Sequence, residues 1–264
     1  MCGIFAMISK KKIPINKFLL NGLRQLQNRG YDSAGICTIS ENSFEVIKYA
    51  SENINAISKI EQQIDMEELS TLGIAHTRWA THGGKTDKNS HPHVSYDGKI
   101  YLVHNGIIEN FDTIKKFLVS KEITFQSQTD TEVIANLLAY NYSQNPDFTE
   151  ALQQTLNELQ GTWGLVILNV DHPNTMYCVK HGSPLLIGEN DDYVMATSEQ
   201  SGFHGMVNNY FVLESNDICK IRIDGACFVR KDVRAKIIKK GIMKAGSLYW
   251  CSEDHIQARK KADP

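Results

Sequence analysis

The 264 residues are 42% hydrophobic and 22% charged, enough apolar material for a sizeable core and too much for a disordered chain. The net charge of -2 lacks the basic excess of a nucleic-acid or membrane-surface binder, and no run nears the ~18 apolar residues that a membrane helix needs. The apolar start is followed, not preceded, by Lys10-Lys11-Lys12, the reverse of a signal peptide, and the six cysteines are sparse, so the chain reads as cytoplasmic with reduced thiols.

Apolar positions Phe18, Leu19, Leu20, Leu23 and Leu26 predict a helix over 17–28. Segments 35–39 and 44–49 read as paired strands across the polar Ser40-Glu41-Asn42-Ser43. Residues 54–69 are mainly polar with apolar positions at helical spacing, and 72–75 is a short strand running into His76. Residues 77–95, rich in Gly, His, Thr and Asn, lack periodicity and predict a loop, where function concentrates on a rigid scaffold. Asp97-Gly98 predicts a hairpin turn into a strand over 99–104, and helices are expected over 110–119, 130–142 and 148–160. Strands follow at 165–170, 176–179, 185–188, 193–196 and 211–213, then at 218–223 and 226–229 around a second Asp-Gly turn. Strands, then helices, then strands, without βαβ alternation, predict an α+β fold with antiparallel sheets. From Arg230 the chain is lysine-rich and poorly patterned, as in a solvated helix or a linker end.

Cys2 is the most informative residue. Trimming of Met1 would leave its thiol and α-amine on one carbon, and an amine with a pKa of ~7.7–8.0 suits a base for the adjacent nucleophile. Alone, a cysteine at this position is an ordinary residue. His76, His82, His91, His93 and His104 cluster between 76 and 104, and His91-Pro92-His93 resembles a ligand pair. The nearby carboxylates Asp87, Asp97 and Glu109 form no recognised ligand spacing with them, so neither a metal nor another cofactor is expected. Asn105-Gly106 reads either as a hairpin turn or as an oxyanion hole donating from the side-chain amide and the glycine N–H. Arg78 is either a surface ion-pair partner or a fork for a substrate carboxylate. Asp130 is either a helix cap or the anion for a substrate ammonium.

Together these stretches are more specific than any one alone. Met1-Cys2-Gly3-Ile4, Arg29-Gly30-Tyr31-Asp32-Ser33-Ala34-Gly35-Ile36, His76-Thr77-Arg78-Trp79-Ala80-Thr81-His82-Gly83, His104-Asn105-Gly106-Ile107-Ile108-Glu109-Asn110 and Ser127-Gln128-Thr129-Asp130-Thr131-Glu132 occur in one order. Gly182-Ser183-Pro184-Leu185 and Ala196-Thr197-Ser198-Glu199 follow. The sequence resembles the glutaminase domain of glutamine–fructose-6-phosphate aminotransferases, class II glutamine amidotransferases of the N-terminal-nucleophile type, over residues 2–230. The remainder, 231–264, would be a tail or truncated interdomain linker.

The resemblance implies a four-layer αββα sandwich of two antiparallel sheets and L-glutamine as substrate. Cys2 would attack the side-chain amide, and glutamate and ammonia would form through a thioester. Asn105 and Gly106 would hold the oxyanion, Arg78 the α-carboxylate and Asp130 the α-ammonium. Thr81, His82 and Gly83 would form the closing loop with Trp79 as its gate, and Arg29 would order the N-terminal region. The family's sugar-phosphate isomerase (SIS-type) domain is not recognised in this sequence and could be supplied in trans. Glutamine hydrolysis, rather than amino-sugar synthesis by these residues alone, is therefore expected. A non-catalytic glutamine-binding regulatory module, a glutaminase subunit feeding another acceptor and a zinc hydrolase built on His91 and His93 are the alternatives. Homo-oligomerisation is left open.

Overall fold

A computed structural model describes residues 2–40, 43–80, 82–222, 225–232 and 237–243, the last two segments as backbone only. In chain order the first half contains β1 (Gly3–Ile13), α1 (Ile15–Gln25), β2 (Ser33–Ser40), β3 (Ser43–Ala50), α2 (Ala56–Gln63), β4 (Ser70–Arg78), β5 (His93–Val94) and β6 (Ile100–Ile108). Three helices follow, α3 (Phe111–Ser120), α4 (Asp130–Gln144) and α5 (Phe148–Glu158). The second half is strand: β7 (Gly161–Asn169), β8 (Thr175–His181), β9 (Leu186–Glu189), β10 (Tyr193–Thr197), β11 (Asn209–Val212), β12 (Asp217–Arg222), β13 (Gly225–Asp232) and β14 (Ile237–Met243).

The strands form two antiparallel sheets, ordered β11-β9-β10-β1-β4-β2-β3 and β14-β13-β12-β8-β7-β6-β5. β1 shows how sequence sets the layering. Its residues Gly3 to Ser9 are buried, and its lysines fall where it leaves the core. Ile4, Ala6 and Ile8 point between the sheets, against Val103, Val166 and Leu168 of the second. Phe5 and Met7 point the other way, against Leu19, Leu20 and Leu23 of α1. A period of two thus feeds two cores from one strand. A third core packs α3, α4 and α5 on the outer face of the second sheet. The layers run helix, sheet, sheet, helix, as the resemblance implies. No helix among the described residues is long and apolar enough to cross a membrane.

Several expectations need correction. The apolar start, to which no element was assigned, is the central strand β1, and the helix expected across 54–69 is confined to α2, capped by the Asn55 side chain, which accepts from Ile57 N at 2.9 Å. Asn105-Gly106 is no hairpin turn: both residues lie inside β6, opposite Gly164 and Trp163 of β7. The lysine-rich stretch has strand backbone over Ile237–Met243, paired with β13. Residues 230–232 complete β13, whereas 233–236, 244–264, Met1 and Thr81 lie outside the described residues.

Candidate active site

Three strands deliver the site. Cys2 immediately precedes β1, β4 ends at Arg78 with Trp79 next in the chain, and β6 holds Asn105 and Gly106 in the facing sheet. Gly3 pairs with Thr77 across β1 and β4. A Cβ on Gly3 would fall 2.6 Å from both Leu26 Cβ and Thr77 Oγ1, so only glycine lets β1 reach this position. Ser198 Oγ, just past the end of the neighbouring strand β10, accepts from Ile4 N at 3.0 Å and ties the same strand end to it.

A cavity of ≈ 390 Å³ opens here, within the size range of small-molecule sites. Cys2, Arg29, Trp79, Asn105, Gly106 and Ile107 line it, with Thr162, Ser183, Pro184 and Ser198. Cys2 Sγ accepts from Trp79 N at 3.2 Å and lies 3.6 Å from Trp79 O. Burial pushes the thiol pKa up, against the opposing pull of the Trp79 N–H and the Arg78 charge. The thiol is therefore protonated near neutrality, and attack by it requires a base.

Asn105 Nδ2 donates to Cys2 O at 2.8 Å, while its Oδ1 faces His76 Nε2 at 3.0 Å. Gly106 adopts φ +139°, and a Cβ there would fall 2.0 Å from Thr162 O, so residue 106 must be glycine for β6 to stay against β7.

Arg78 is buried, and its guanidinium donates to the carbonyls of His82 and, at 3.3 Å, Gly84. The turn it grips is held from beyond: Asn89 Nδ2 donates to Gly84 O at 2.9 Å, and Asn89 Oδ1 accepts from Gln128 N at 2.9 Å. Asp130, at the start of α4, accepts from Ile108 N at 2.9 Å. Both charges act on the Cys2 thiol, Arg78 lowering and Asp130 raising its pKa.

A model of the glutamine amidotransferase domain matches residues 76–205. A probable glutamine–fructose-6-phosphate aminotransferase (isomerizing) of Acanthamoeba polyphaga mimivirus is 42% identical over 224 residues, covering 82% of this chain and 36% of that protein. The enzyme of the same name from Caldanaerobacter subterraneus is 39% identical over 242 residues, 92% of this chain and 38% of its own. The chain belongs to the glutamine amidotransferase family.

It spans 36–38% of the length of these two relatives. A Bacillus subtilis glutamine phosphoribosylpyrophosphate amidotransferase, solved with ADP and GMP, superposes with a TM-score of 0.74 at 24% identity, over 88% of this chain and 50% of that one. That likeness carries the fold, the N-terminal-nucleophile sandwich.

Cys2, Arg29, Trp79, Asn105 and Gly106 come to one cavity. Arg78, His82, Gly83 and Asp130 stand outside its lining. His82 stacks edge-on against Phe111 at 5.5 Å, and Gly83 sits close to Asn89 and Gln128. Arg29 is ion-paired to Glu199. Sequence reasoning assigned no role to Ile107, Thr162, Ser183, Pro184 or Ser198. Two of the quoted stretches, around 182–185 and 196–199, contained the last three. Ile107 lay in the stretch that begins at His104, and Thr162 gave no signal except through the cross-strand pairing of β6 with β7.

Proposed function

We propose that this domain hydrolyses the side-chain amide of L-glutamine to glutamate and ammonia, with Cys2 as nucleophile. The observation that supports it best is the convergence of Cys2, Asn105 and Gly106 on one cavity within a glutamine amidotransferase domain. With Met1 removed, the α-amine of Cys2 takes the thiol proton as Sγ adds to the amide carbon. The resulting oxyanion accepts hydrogen bonds from Asn105 Nδ2, which has an N–H beyond the one given to Cys2 O, and from the Gly106 N–H. Collapse breaks the C–N bond, the ammonium returns its proton to the leaving nitrogen, and a thioester remains. Water, deprotonated by the same amine, then releases glutamate and restores the thiol.

Arg78 meets the α-carboxylate of glutamine and Asp130 its α-ammonium, with Trp79, Thr81, His82 and Gly83 closing over the substrate. The relatives are named for amino transfer to fructose 6-phosphate, so the ammonia is proposed to serve amino-sugar formation at a sugar-phosphate isomerase domain. The test is to give the pure protein glutamine, with and without fructose 6-phosphate, and to assay glutamate and amino sugar separately. Glutamate release supports the proposal. No glutamate from protein whose measured mass begins at Cys2 would overturn it.

A further inference from the structure

The Asn105 carboxamide has two ends, and only one is useful at an oxyanion. If it turned over, a carbonyl would face the developing negative charge in place of an N–H. Two contacts decide the orientation. Cys2 O is an acceptor, so the end 2.8 Å from it is Nδ2. The other end, Oδ1, lies 3.0 Å from His76 Nε2, which is also 3.0 Å from His104 O. Two acceptors share Nε2, so the proton of this imidazole sits there.

We infer that His76 is a positioning residue, whose Nε2–H holds the Asn105 carboxamide with its N–H groups toward Cys2 and the cavity. This rests on the oxyanion role proposed above for Asn105.

The surroundings fix the His76 ring in place and in charge. It is fully buried and stacks on His91 with centroids 4.0 Å apart and planes 11° from parallel. His91 Nδ1 accepts from His104 N at 3.2 Å, so His91 carries its proton on Nε2, which faces Thr131 Oγ1 at 3.4 Å. The Thr131 hydroxyl is then free to donate to His104 Nδ1 at 3.0 Å, which leaves His104 Nε2–H for Thr162 O at 3.3 Å. One assignment of protons satisfies every contact in this chain, and it keeps all three rings neutral. Burial pushes the His76 pKa down to about 3, so the ring stays a single-proton donor at any working pH. The chain runs behind the cavity and reaches its lining at two residues, Asn105 and Thr162.

The test is a double-mutant cycle in the full chain, read as kcat and KM for glutamine hydrolysis. His76→Leu removes the donor and is expected to lower kcat by about 10²-fold, with KM held within about two-fold, as for a small misplacement of a catalytic group. In an Asn105→Ala background the same change is expected to cost less than about two-fold, because the group it positions is gone. His76→Gln, which can present an N–H at similar reach, is expected to recover most of the lost kcat. Iodoacetamide labelling of Cys2, which needs no oxyanion hole, is expected to be unchanged.

Equal losses from His76→Leu in both backgrounds would mean a general structural role and overturn the inference alone. No loss of kcat from Asn105→Ala would overturn the oxyanion reading and this inference with it. Should His76→Leu fail to fold, the imidazole 15N shifts of the unaltered protein still decide. A proton on Nε2 is expected, and a proton on Nδ1 overturns the inference.

Discussion

Two residues at the end of β4, Thr77 and Arg78, separate two opposite environments. His76 is 0% exposed, and Trp79, just past the strand end, is 45% exposed. Around His76, His91, His93 and His104 form a sealed wall in which ring nitrogens meet Thr129, Thr131, Asn105 and backbone groups. Around Trp79, Tyr31 packs edge-on at 5.4 Å, and Ile107 is likewise open to solvent at the cavity. Buried polar groups are tolerated when bonded, and a bonded network has few alternative arrangements. The wall is therefore built to hold atoms still. The mouth is apolar surface left uncovered, which is what a ligand can bury. Changes in the wall should act on kcat and on stability, and changes at the mouth should act on KM.

The largest effect is expected where wall and mouth meet. Cys2→Ala should reduce glutamine hydrolysis to background with an unchanged melting temperature, while Cys37→Ala and Cys178→Ala, whose thiols lie between the sheets, should leave kcat close to the parent value. Burial drives those two thiols far above the usual cysteine range, so neither can supply a nucleophile. Appreciable turnover by Cys2→Ala would dissolve the distinction drawn here.

Arg78 and Asp130 come next. Arg78→Lys keeps the charge but cannot span the carbonyls of His82 and Gly84. Asp130→Asn still accepts from Ile108 N through its amide oxygen but loses the anion. Each is expected to cost roughly 2–5 kcal/mol in kcat/KM, the range for breaking one side of a buried charged contact. If Asp130→Asn were silent while Asp130→Ala was damaging, Asp130 would belong to the wall, as a backbone acceptor, and not to substrate binding.

Acid should attack the wall selectively. An unfolded histidine titrates near 6.5, whereas burial lowers the folded values of His76, His91, His93 and His104 below that. Above pH 6.5 both states hold these rings neutral, and their contribution to stability is fully present. As pH falls through 6.5 toward the folded value of about 3 for His76, the unfolded chain takes up protons that the fold refuses. Stability is then lost at up to about 1.4 kcal/mol per pH unit per histidine. Melting curves between pH 7.5 and 5 would measure this. A flat profile would mean that the rings accept protons in place, and the wall would not be sealed.

Legibility in the sequence followed locality. Periodicity found α1, the β2–β3 pair and the three central helices to within a few residues, because their core-facing positions recur along one segment. It assigned no element to β1, where both faces are buried and no alternation remains to mark a strand. Asn105-Gly106 looked like a turn because local preference favours one, and pairing with β7 overrode it. The candidate site was visible through its motifs, three of whose residues, Cys2, Asn105 and Gly106, come to one cavity. The histidines were visible as a cluster but not as a scaffold, since their order depends on Thr129 and Thr131, on a helix some forty residues away or just before it. Ser198 could not be weighed at all without knowing that β10 lies beside β1.

The smallest effect is expected at Trp79 itself, and it tests the division most directly. Its backbone holds Cys2 Sγ through the N–H at 3.2 Å and the carbonyl at 3.6 Å. Those contacts do not need the indole, so Trp79→Ala should leave the sulfur where it is. What the substitution removes is the edge-on contact with Tyr31 and part of the cavity lining. An aromatic pair of this kind contributes about 0.5–1.5 kcal/mol, and a half-exposed ring has little core packing to lose. The expected outcome is a KM for glutamine raised roughly two- to ten-fold, with kcat within about two-fold and the melting temperature within a degree or two. Trp79→Phe, which keeps a ring against Tyr31, should fall between the two proteins in KM. Steady-state kinetics with glutamine measures both constants. A large fall in kcat at constant KM would place the indole in the positioning machinery. The boundary between wall and mouth would then lie beyond Trp79, in the segment that Arg78 holds.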